Sequence, residues 1–123
     1  MTDNQKLLYL AGIMDGEGHF CVTPLKNGQG KIYPIARMIV NQKDVRLCEW
    51  LKATYGGSIY TYQTTTSTIT RWELRGQQVK ELAIRLQPYL IVKKEQVLRV
   101  IEGVNNMVIG KRLSVSTHDA KQV

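Results

Sequence analysis

At 123 residues the chain has the length of one ordinary domain, long enough to bury a core and too short for two comfortable ones. Lysine and arginine outnumber aspartate and glutamate by 17 to 10, and the net charge of +7 favours a polyanionic partner. Two cysteines are too few for a disulfide framework or a zinc cluster, and no apolar run or N-terminal pattern indicates a membrane span or a secretion signal. We therefore expect one domain with no membrane partner, located in the cytoplasm or in an organellar matrix and not secreted.

Apolar periodicity divides the chain into helices and hairpins. Apolar residues at steps of three and four indicate helices, and runs of β-branched and aromatic residues between polar turns indicate strands. Asp44 is a suitable N-cap, Gly16, Gly18 and Gly56-Gly57 should end helices, and Pro88 should stop a third. The predicted elements are, in order, a helix over residues 4–15, a hairpin over 19–40 that turns at 27–30, a helix over 45–55, a hairpin of strands 58–63 and 69–75, a helix over 79–86, and a helix that begins near Lys93 and buries Val97, Leu98, Ile101 and Val104.

This order predicts an α+β fold with a four-stranded, mainly antiparallel sheet. One face of the sheet should pack on the helices, and the other, which carries the acid-poor stretches, is free to meet a partner. Residues 1–109 are predicted to form the domain and residues 110–123 a polar tail. With Lys111 and Arg112 near its start, the tail is either disordered or an additional arm that contacts phosphates.

Two groups of charges oppose the local helix dipoles. Asp15 and Glu17 stand at the end of the first helix, where partial negative charge makes acids unfavourable unless a cation is present. Lys93 and Lys94 stand at the start of the last helix, where an acid is expected. Carboxylates and exposed backbone carbonyls suit a hard divalent ion such as Mg²⁺, which can activate water for phosphodiester hydrolysis. The alternatives are ordinary turn residues for the acids and a solvated charge for Lys93.

Two glycines give the first helix a narrow side. Gly12 and Gly16 are four residues apart, and small residues at this spacing allow a second backbone to come close. The spacing fits either a partner helix from another molecule or close packing within the chain.

The stretch LYLAGIMDGEGHF resembles the signature helix of the LAGLIDADG homing endonucleases, from which it differs mainly at Ile13-Met14, Gly16 and Glu17. Glutamate replaces the commoner aspartate at the end of the motif, which keeps an oxygen ligand on a longer side chain. The stretches VNQKDVR and LQPYLIVKKEQ resemble the same family at matching places. Together the three stretches cover most of the chain.

The resemblance implies an active site. Glu17 matches the metal-binding acid, with the Gly16 carbonyl as a neighbouring ligand. Gln42 and Lys93 match the polar pair that organises water and the scissile phosphate, and Arg46 matches a basic residue at the pocket edge. We expect Mg²⁺ or Mn²⁺ to support cleavage and Ca²⁺ to bind without cleavage.

The resemblance also implies an αββαββα fold whose saddle-shaped sheet lies on double-stranded DNA. Because the chain has one copy of the motif and a complete site needs two such helices, it resembles the homodimeric members involved in intron homing. A dimer implies a long, near-palindromic target, cut on both strands across the minor groove to leave 3′ overhangs. Asp15 matches the acid that caps the helix ends and steadies the interface. The expected interface residues are Leu8, Ala11, Gly12, Asp15 and Gly16.

Strand alternation predicts which side chains face the DNA. His19, Cys21 and Thr23 should share one face, with Phe20 and Val22 on the other, and Trp72 and Leu74 should be core. Arg37 is the best candidate for a guanine contact, Ile35 and Ile39 could touch thymine methyl groups, and His19 could act as a base or contact phosphate. In the second hairpin either Tyr60 and Tyr62 or Thr61 and Gln63 face the DNA. The predicted DNA-binding residues are His19, Thr23, Lys26, Asn27, Gln29, Lys31, Tyr33, Arg37, Tyr60, Tyr62, Arg71, Glu73, Arg75, Lys111 and Arg112.

Two other functions are compatible with the same fold. One is an RNA-splicing maturase, with intron RNA as the partner. The other is a DNA-binding regulator that has lost its metal site. The joint presence of Glu17, Gln42 and Lys93 favours the endonuclease.

Overall fold

In the part of the chain that the structure describes, four helices and four strands follow one another in the predicted order. The structure, a computed structural model, describes the backbone of residues 1–109 and the side chains of residues 1–103. The predicted tail, with Lys111 and Arg112, lies outside the described residues. The elements are α1 (Asp3–Glu17), β1 (Gly18–Lys26), β2 (Ile32–Gln42), α2 (Val45–Tyr55), β3 (Ser58–Gln63), β4 (Thr68–Arg75), α3 (Gln77–Leu86), a short 3₁₀ turn (Gln87–Tyr89) and α4 (Lys94–Ile109).

The strands form one open antiparallel sheet in the order β1-β2-β4-β3. Strand β1 pairs with β2, and β3 pairs with β4. The two hairpins join along β2 and β4, where Arg37 lies opposite Arg75 and Asn41 opposite Arg71. The α+β prediction is confirmed. This register places the second halves of both hairpins at the centre of the sheet.

The core lies between one face of the sheet and the helices. Phe20, Trp72 and Leu74 are buried there, as strand alternation predicted. The last helix differs in detail, because Leu98 is half-buried and Val100 takes a buried place beside Val97. The side chain of Val104 lies outside the described residues.

The first helix is longer than its glycines predicted. Thr2 and Gln5 form a reciprocal capping box at its start. Gly16 lies within the helix, and Gly18 is the C-cap, with its N–H donating to the Met14 carbonyl. A Cβ on Gly18 would lie 2.7 Å from the Met14 Cα, a backbone atom that cannot move aside, so this position requires glycine. The helix therefore carries Glu17 to its final residue.

A second glycine fixes the entry into the β3–β4 hairpin. Gly57 has φ +93°, and an added Cβ would lie 2.5 Å from the Glu73 carbonyl oxygen. The indole N–H of Trp72 donates to the Gly56 carbonyl at 2.8 Å. These contacts hold β3 beside β4.

Both cysteines are free thiols, and burial is the main cause that raises the pKa of each. None of the helices in the described part of the chain is long and apolar enough to cross a membrane.

Candidate active site and nucleic-acid interface

Asp15 joins the end of α1 to the start of α4. Its carboxylate accepts hydrogen bonds from the backbone N–H groups of Ile91, Val92 and Lys93 at 2.8, 3.0 and 2.9 Å. Burial by itself would raise the pKa of Asp15, but these three donors and the Lys93 charge lower it below its ordinary value. The carboxylate thus satisfies the three backbone N–H groups that precede α4, which is the helix-capping role that the resemblance implies.

Lys93 makes the reverse contact. Its ammonium group donates to the carbonyls of Met14 at 3.0 Å and Gly18 at 2.6 Å, with the Asp15 carbonyl at 3.5 Å. These groups belong to the last turn of α1, where a cation is favoured. Each charge that opposes the dipole of its own helix therefore stabilises the other helix, and Lys93 is not a plain solvated charge.

Glu17 and Gln42 form the polar corner beside these caps. The Gln42 side-chain amide donates to the Glu17 carboxylate, and its oxygen accepts the N–H of Lys43 at 2.9 Å. Gln42 ends β2, and Glu17 ends α1 and is exposed. Strand and helix thus bring two of the predicted site residues into contact across 25 positions of the chain.

Arg46 makes a local ion pair. Its guanidinium contacts Asp44, the N-cap of α2, at 2.6 Å, and its side chain is 84% exposed. Hydrogen bonds from the Arg46 side chain, and then from the Arg46 backbone N–H, lower the pKa of Asp44 to about 2. A contact between Arg46 and a substrate stays a prediction.

One copy of the chain offers two oxygen donors at the end of α1 that could contact a metal ion. Glu17 offers an exposed carboxylate, and the second donor is the Gly16 carbonyl. In a continuous helix the Phe20 N–H would donate to this carbonyl, but here it donates to the Gln96 side chain at 3.0 Å. Both oxygens suit a hard divalent ion. No group of three or more His, Cys, Asp or Glu side chains within the described residues could hold a metal ion. The chemistry of these two donors therefore fits a divalent ion, and within the described residues one chain offers only part of a full set of ligands.

The side of α1 that carries the glycines is open. Among the described residues, a Cβ on Gly12 or Gly16 would meet nothing within 4 Å, so packing against this part of the chain does not explain them. Leu8, one turn earlier on the same stripe, is 44% exposed. Ala11 does not share this surface, because it is 3% exposed and packs in the core of its own chain. The exposed stripe consists of Leu8, Gly12 and Gly16.

The uncovered side of the sheet, which we call the open face, is rich in arginine. The strand registers and burial resolve the side chains of the second hairpin, where Tyr60 and Tyr62 share this side with Arg71 while Thr61 and Gln63 do not. Its side chains are those of His19, Cys21, Thr23, Leu25, Tyr33, Ile35, Arg37, Ile39, Asn41, Ser58, Tyr60, Tyr62, Ile69, Arg71, Glu73 and Arg75.

Glu73 binds two arginines at the centre of the open face. Arg37 donates through Nε at 2.9 Å and through Nη2 at 2.8 Å, and Arg75 donates through Nε at 2.6 Å. The side chain of Glu73 is 4% exposed, against 22% for Arg37 and 61% for Arg75. The hydrogen bonds from Arg37, followed by those from Arg75, outweigh burial and lower the pKa of Glu73 to about 2.

Arg71 forms a second network. It donates to Asn41 Oδ1 at 3.0 Å and to the Tyr60 hydroxyl at 3.2 Å, and its guanidinium lies 5.8 Å from the ring centres of Tyr60 and Tyr62. The Tyr62 hydroxyl also donates to Asn41, at 3.3 Å. Nearby, burial and then the charges of Lys93, Arg37 and Arg71 lower the pKa of His19, which leaves the imidazole neutral at pH 7.

The sequence model described as LAGLIDADG endonuclease matches residues 10–97. The chain belongs to the LAGLIDADG endonuclease family. The match includes the second half of α1, both hairpins and Lys93, so the family membership inferred from the three motifs is confirmed.

Relatives of known function and structure agree with this membership. The intron-encoded RNA maturase bI4 of Saccharomyces cerevisiae is 31% identical over 106 residues, which are 85% of this chain and 13% of the maturase. An archaeal intron-encoded homing endonuclease, I-Vdi141I, solved in complex with DNA, is 21% identical, covers 98% of this chain and 84% of its own, and gives a TM-score of 0.77. The homing endonuclease I-CvuI, solved with its target in 2 mM Ca, is 17% identical over 98% and 82% of the two chains, with a TM-score of 0.74. At these identities the two structures show that the fold is the same.

In this endonuclease fold, some predicted site residues have local partners. The Asn27 side-chain oxygen accepts the N–H groups of Gln29 and Lys31 at 2.8 and 2.9 Å, which shapes the hairpin tip. Lys26 and Lys31 remain exposed beside it.

The sequence did not single out Asn41 or Gln96. Asn41 organises the Arg71 network, and Gln96 ties α4 to β1 beside Glu17. Strand parity from Arg37 could have found Asn41. Gln96 ends the stretch LQPYLIVKKEQ, but no local pattern gives its contact with the Phe20 N–H.

Proposed function

We propose that the chain is a homodimeric, divalent-metal-dependent DNA endonuclease that cuts both strands of a long, near-palindromic site across the minor groove and leaves 3′ overhangs. The carrying observation is the Glu17–Gln42 pair at the exposed end of α1, beside an unpacked glycine stripe. Two structural relatives, I-Vdi141I and I-CvuI, were solved with DNA and with a target, which supports DNA as the partner of this chain.

The chain's own residues suggest how the site works. A bound divalent ion, with Mg²⁺ or Mn²⁺ the expected choices, would supply charge neutralisation and a more acidic water. Glu17 would hold the ion, and Gln42, whose side chain contacts Glu17 and the Lys43 N–H, would orient a water molecule beside it. Lys93 holds the carbonyls of the helix end in place and adds positive charge beside the scissile phosphate.

The dimer follows from the surface of α1. Two copies that meet along Leu8, Gly12 and Gly16 would place their helix ends, and so their Glu17 carboxylates, side by side. Ile91 and Val92 are 84% and 66% exposed and are tied by Asp15 to the same helix end, so they extend the apolar surface.

The cleavage proposal is tested with a randomised duplex library and Mg²⁺, followed by sequencing of cut ends. Glu17→Gln should reduce cleavage by at least about a hundredfold while binding in Ca²⁺ persists, because the amide keeps the shape and loses the charged ligand. Glu49→Gln removes an exposed charge on α2 and should cut like the wild type. Cleavage by Glu17→Gln at the wild-type rate would refute the role of Glu17.

The dimer is tested by sedimentation without DNA. Gly12→Leu should give a monomer, although helix propensity favours leucine over glycine by about 0.8 kcal/mol and the space around Gly12 is open in one chain. Ala53→Leu is the matched control, since Ala53 is exposed on α2 and away from the stripe. A Gly12→Leu dimer as tight as the wild type would place the interface elsewhere.

A second candidate is an RNA maturase, which the 31% identity to maturase bI4 favours. We propose it as an additional activity on intron RNA. Splicing of a candidate intron RNA, measured with and without the purified protein, tests it, and unchanged splicing would count against it. The Glu17→Gln variant should retain splicing if the two activities use different residues.

A further inference from the structure

We propose that Glu73 is a specificity-determining positioning residue, which fixes the guanidinium groups of Arg37 and Arg75 so that each presents its donors to the edge of a guanine base. The inference rests on the proposed DNA binding through the open face. It replaces the expectation that Glu73 itself contacts the DNA.

The exposed fractions of the three side chains indicate which of them can contact a base and which can only hold the others in place. The Glu73 side chain is 4% exposed, so its carboxylate lies beneath the surface that a base edge can reach. Arg75 is 61% exposed, and Arg37, at 22%, reaches solvent beside it. Both carboxylate oxygens of Glu73 already accept hydrogen bonds from these arginines. A cytosine amino group would therefore have to displace an arginine to reach Glu73.

The hydrogen bonds leave the reading edge of each arginine available. A guanidinium carries five N–H donors in one plane. Arg37 uses its Nε and Nη2 edge on Glu73, so the edge formed by Nη1 and the second hydrogen of Nη2 points away from the carboxylate. Arg75 uses Nε, so both of its terminal nitrogens remain. Two parallel donors of this kind match the N7 and O6 acceptors of guanine.

Without Glu73 the two arginines would repel each other. Arg37 and Arg75 are register partners on β2 and β4, and like charges directly opposite one another destabilise a strand pair. The partner of Glu73 in this register is Ile39, a buried apolar residue that is 6% exposed and makes the surroundings of the carboxylate less polar. Ion pairs in less polar surroundings are stronger than at an exposed site, because the effective dielectric constant is lower. The Glu73 carboxylate therefore orients both guanidinium groups, that of Arg37 and that of Arg75.

The spacing gives a further consequence for the target. Neighbouring strands lie about 4.8 Å apart and stacked base pairs about 3.4 Å. The bases preferred by Arg37 and by Arg75 should therefore lie within about two base pairs of each other.

The experiment selects bound sequences from a randomised duplex library in Ca²⁺, so that binding is measured without cleavage. Arg37→Ala and Arg75→Ala first locate the two base positions. Glu73→Gln should then lower the guanine preference at both positions about tenfold, while the other positions keep theirs. Glu81→Gln, which removes one exposed acid on α3, should leave every position unchanged. In the Arg37→Ala background, Glu73→Gln should have no further effect at the Arg37 position.

Several outcomes would overturn the proposal. Loss of a cytosine preference at one position, with both guanine preferences intact, would show that Glu73 contacts DNA directly. Unchanged preferences in Glu73→Gln, or two positions many base pairs apart, would show that it does not position the arginines. Failure of the wild type to select any sequence would instead refute the proposed function. If Glu73→Gln does not fold, Glu73→Asp keeps the charge, cannot reach both arginines, and should show the same double loss.

Discussion

Removal of the Lys93 ammonium should destabilise the whole domain as well as impair cleavage. Lys93→Met keeps the alkyl stem and removes the group that donates to the Met14 and Gly18 carbonyls. A charge-assisted hydrogen bond to a partly buried acceptor is worth about 1.5–3 kcal/mol, and a cation at a helix C-terminus adds about 0.5 kcal/mol. Because Lys93 is partly exposed, we expect a loss of about 2 kcal/mol in the free energy of unfolding.

For a domain of this length, that loss corresponds to a fall in Tm of about 8 °C. Thermal unfolding followed by circular dichroism, without metal and at one protein concentration, measures it. Lys94→Met is the control, because the Lys94 side chain makes no hydrogen bond or ion pair within residues 1–103. The Tm of this variant should stay within about 2 °C of that of the wild type. A Lys93→Met variant that melts with the wild type, yet does not cleave, would show that Lys93 acts on the phosphate alone.

Three further changes test the rest of the structure. Gly57→Ala should cost at least about 2 kcal/mol in denaturant unfolding, because of its positive φ and the Glu73 carbonyl, whereas Gly28→Ala, which meets nothing within 4 Å, should cost less than about 0.5 kcal/mol. Glu73 has a depressed pKa of about 2, so its contribution of about 3 kcal/mol is present above pH 4.5 and is lost as the pH falls towards 2. Glu73→Gln should therefore be the less stable protein at pH 7 and match the wild type near pH 2, and a constant difference would contradict the ion pairs. Arg71→Ala should weaken binding to all DNA sequences and reduce the salt slope by about one if Arg71 contacts a phosphate, and an unchanged slope would assign it to a base.

The sequence predicted the order of the elements because each one has a clear local pattern. The three- and four-residue step gives the helices, and the alternation around Trp72 and Leu74 gives the buried side of β4. Ends were less predictable. The helix α1 continues through Gly16, since its capping box and the Lys93 contact stabilise it over a residue that ends helices elsewhere.

The candidate site divides in the same way. The motif carries Glu17 and Gln42 in the sequence, and the fold brings them into contact. The charges of Asp15 and Lys93 opposed their local dipoles, and this signal was correct, but its explanation is the exchange of caps between two helices. No local pattern contains that exchange, because the two residues are 78 positions apart.

The sequence by itself determined the family, the α+β order and the basic character of the partner surface, because these depend on motifs, periodicity and composition. Only the tertiary structure decided which charges are available to a partner. Glu73 alternates with core residues as a DNA-facing side chain should, yet the register places Arg37 and Arg75 around it and buries it. Gly12 and Gly16 could have packed within the chain, yet no other element reaches them within 4 Å in the described residues. Burial and partners depend on which strands and helices become neighbours, and that is a property of the whole fold.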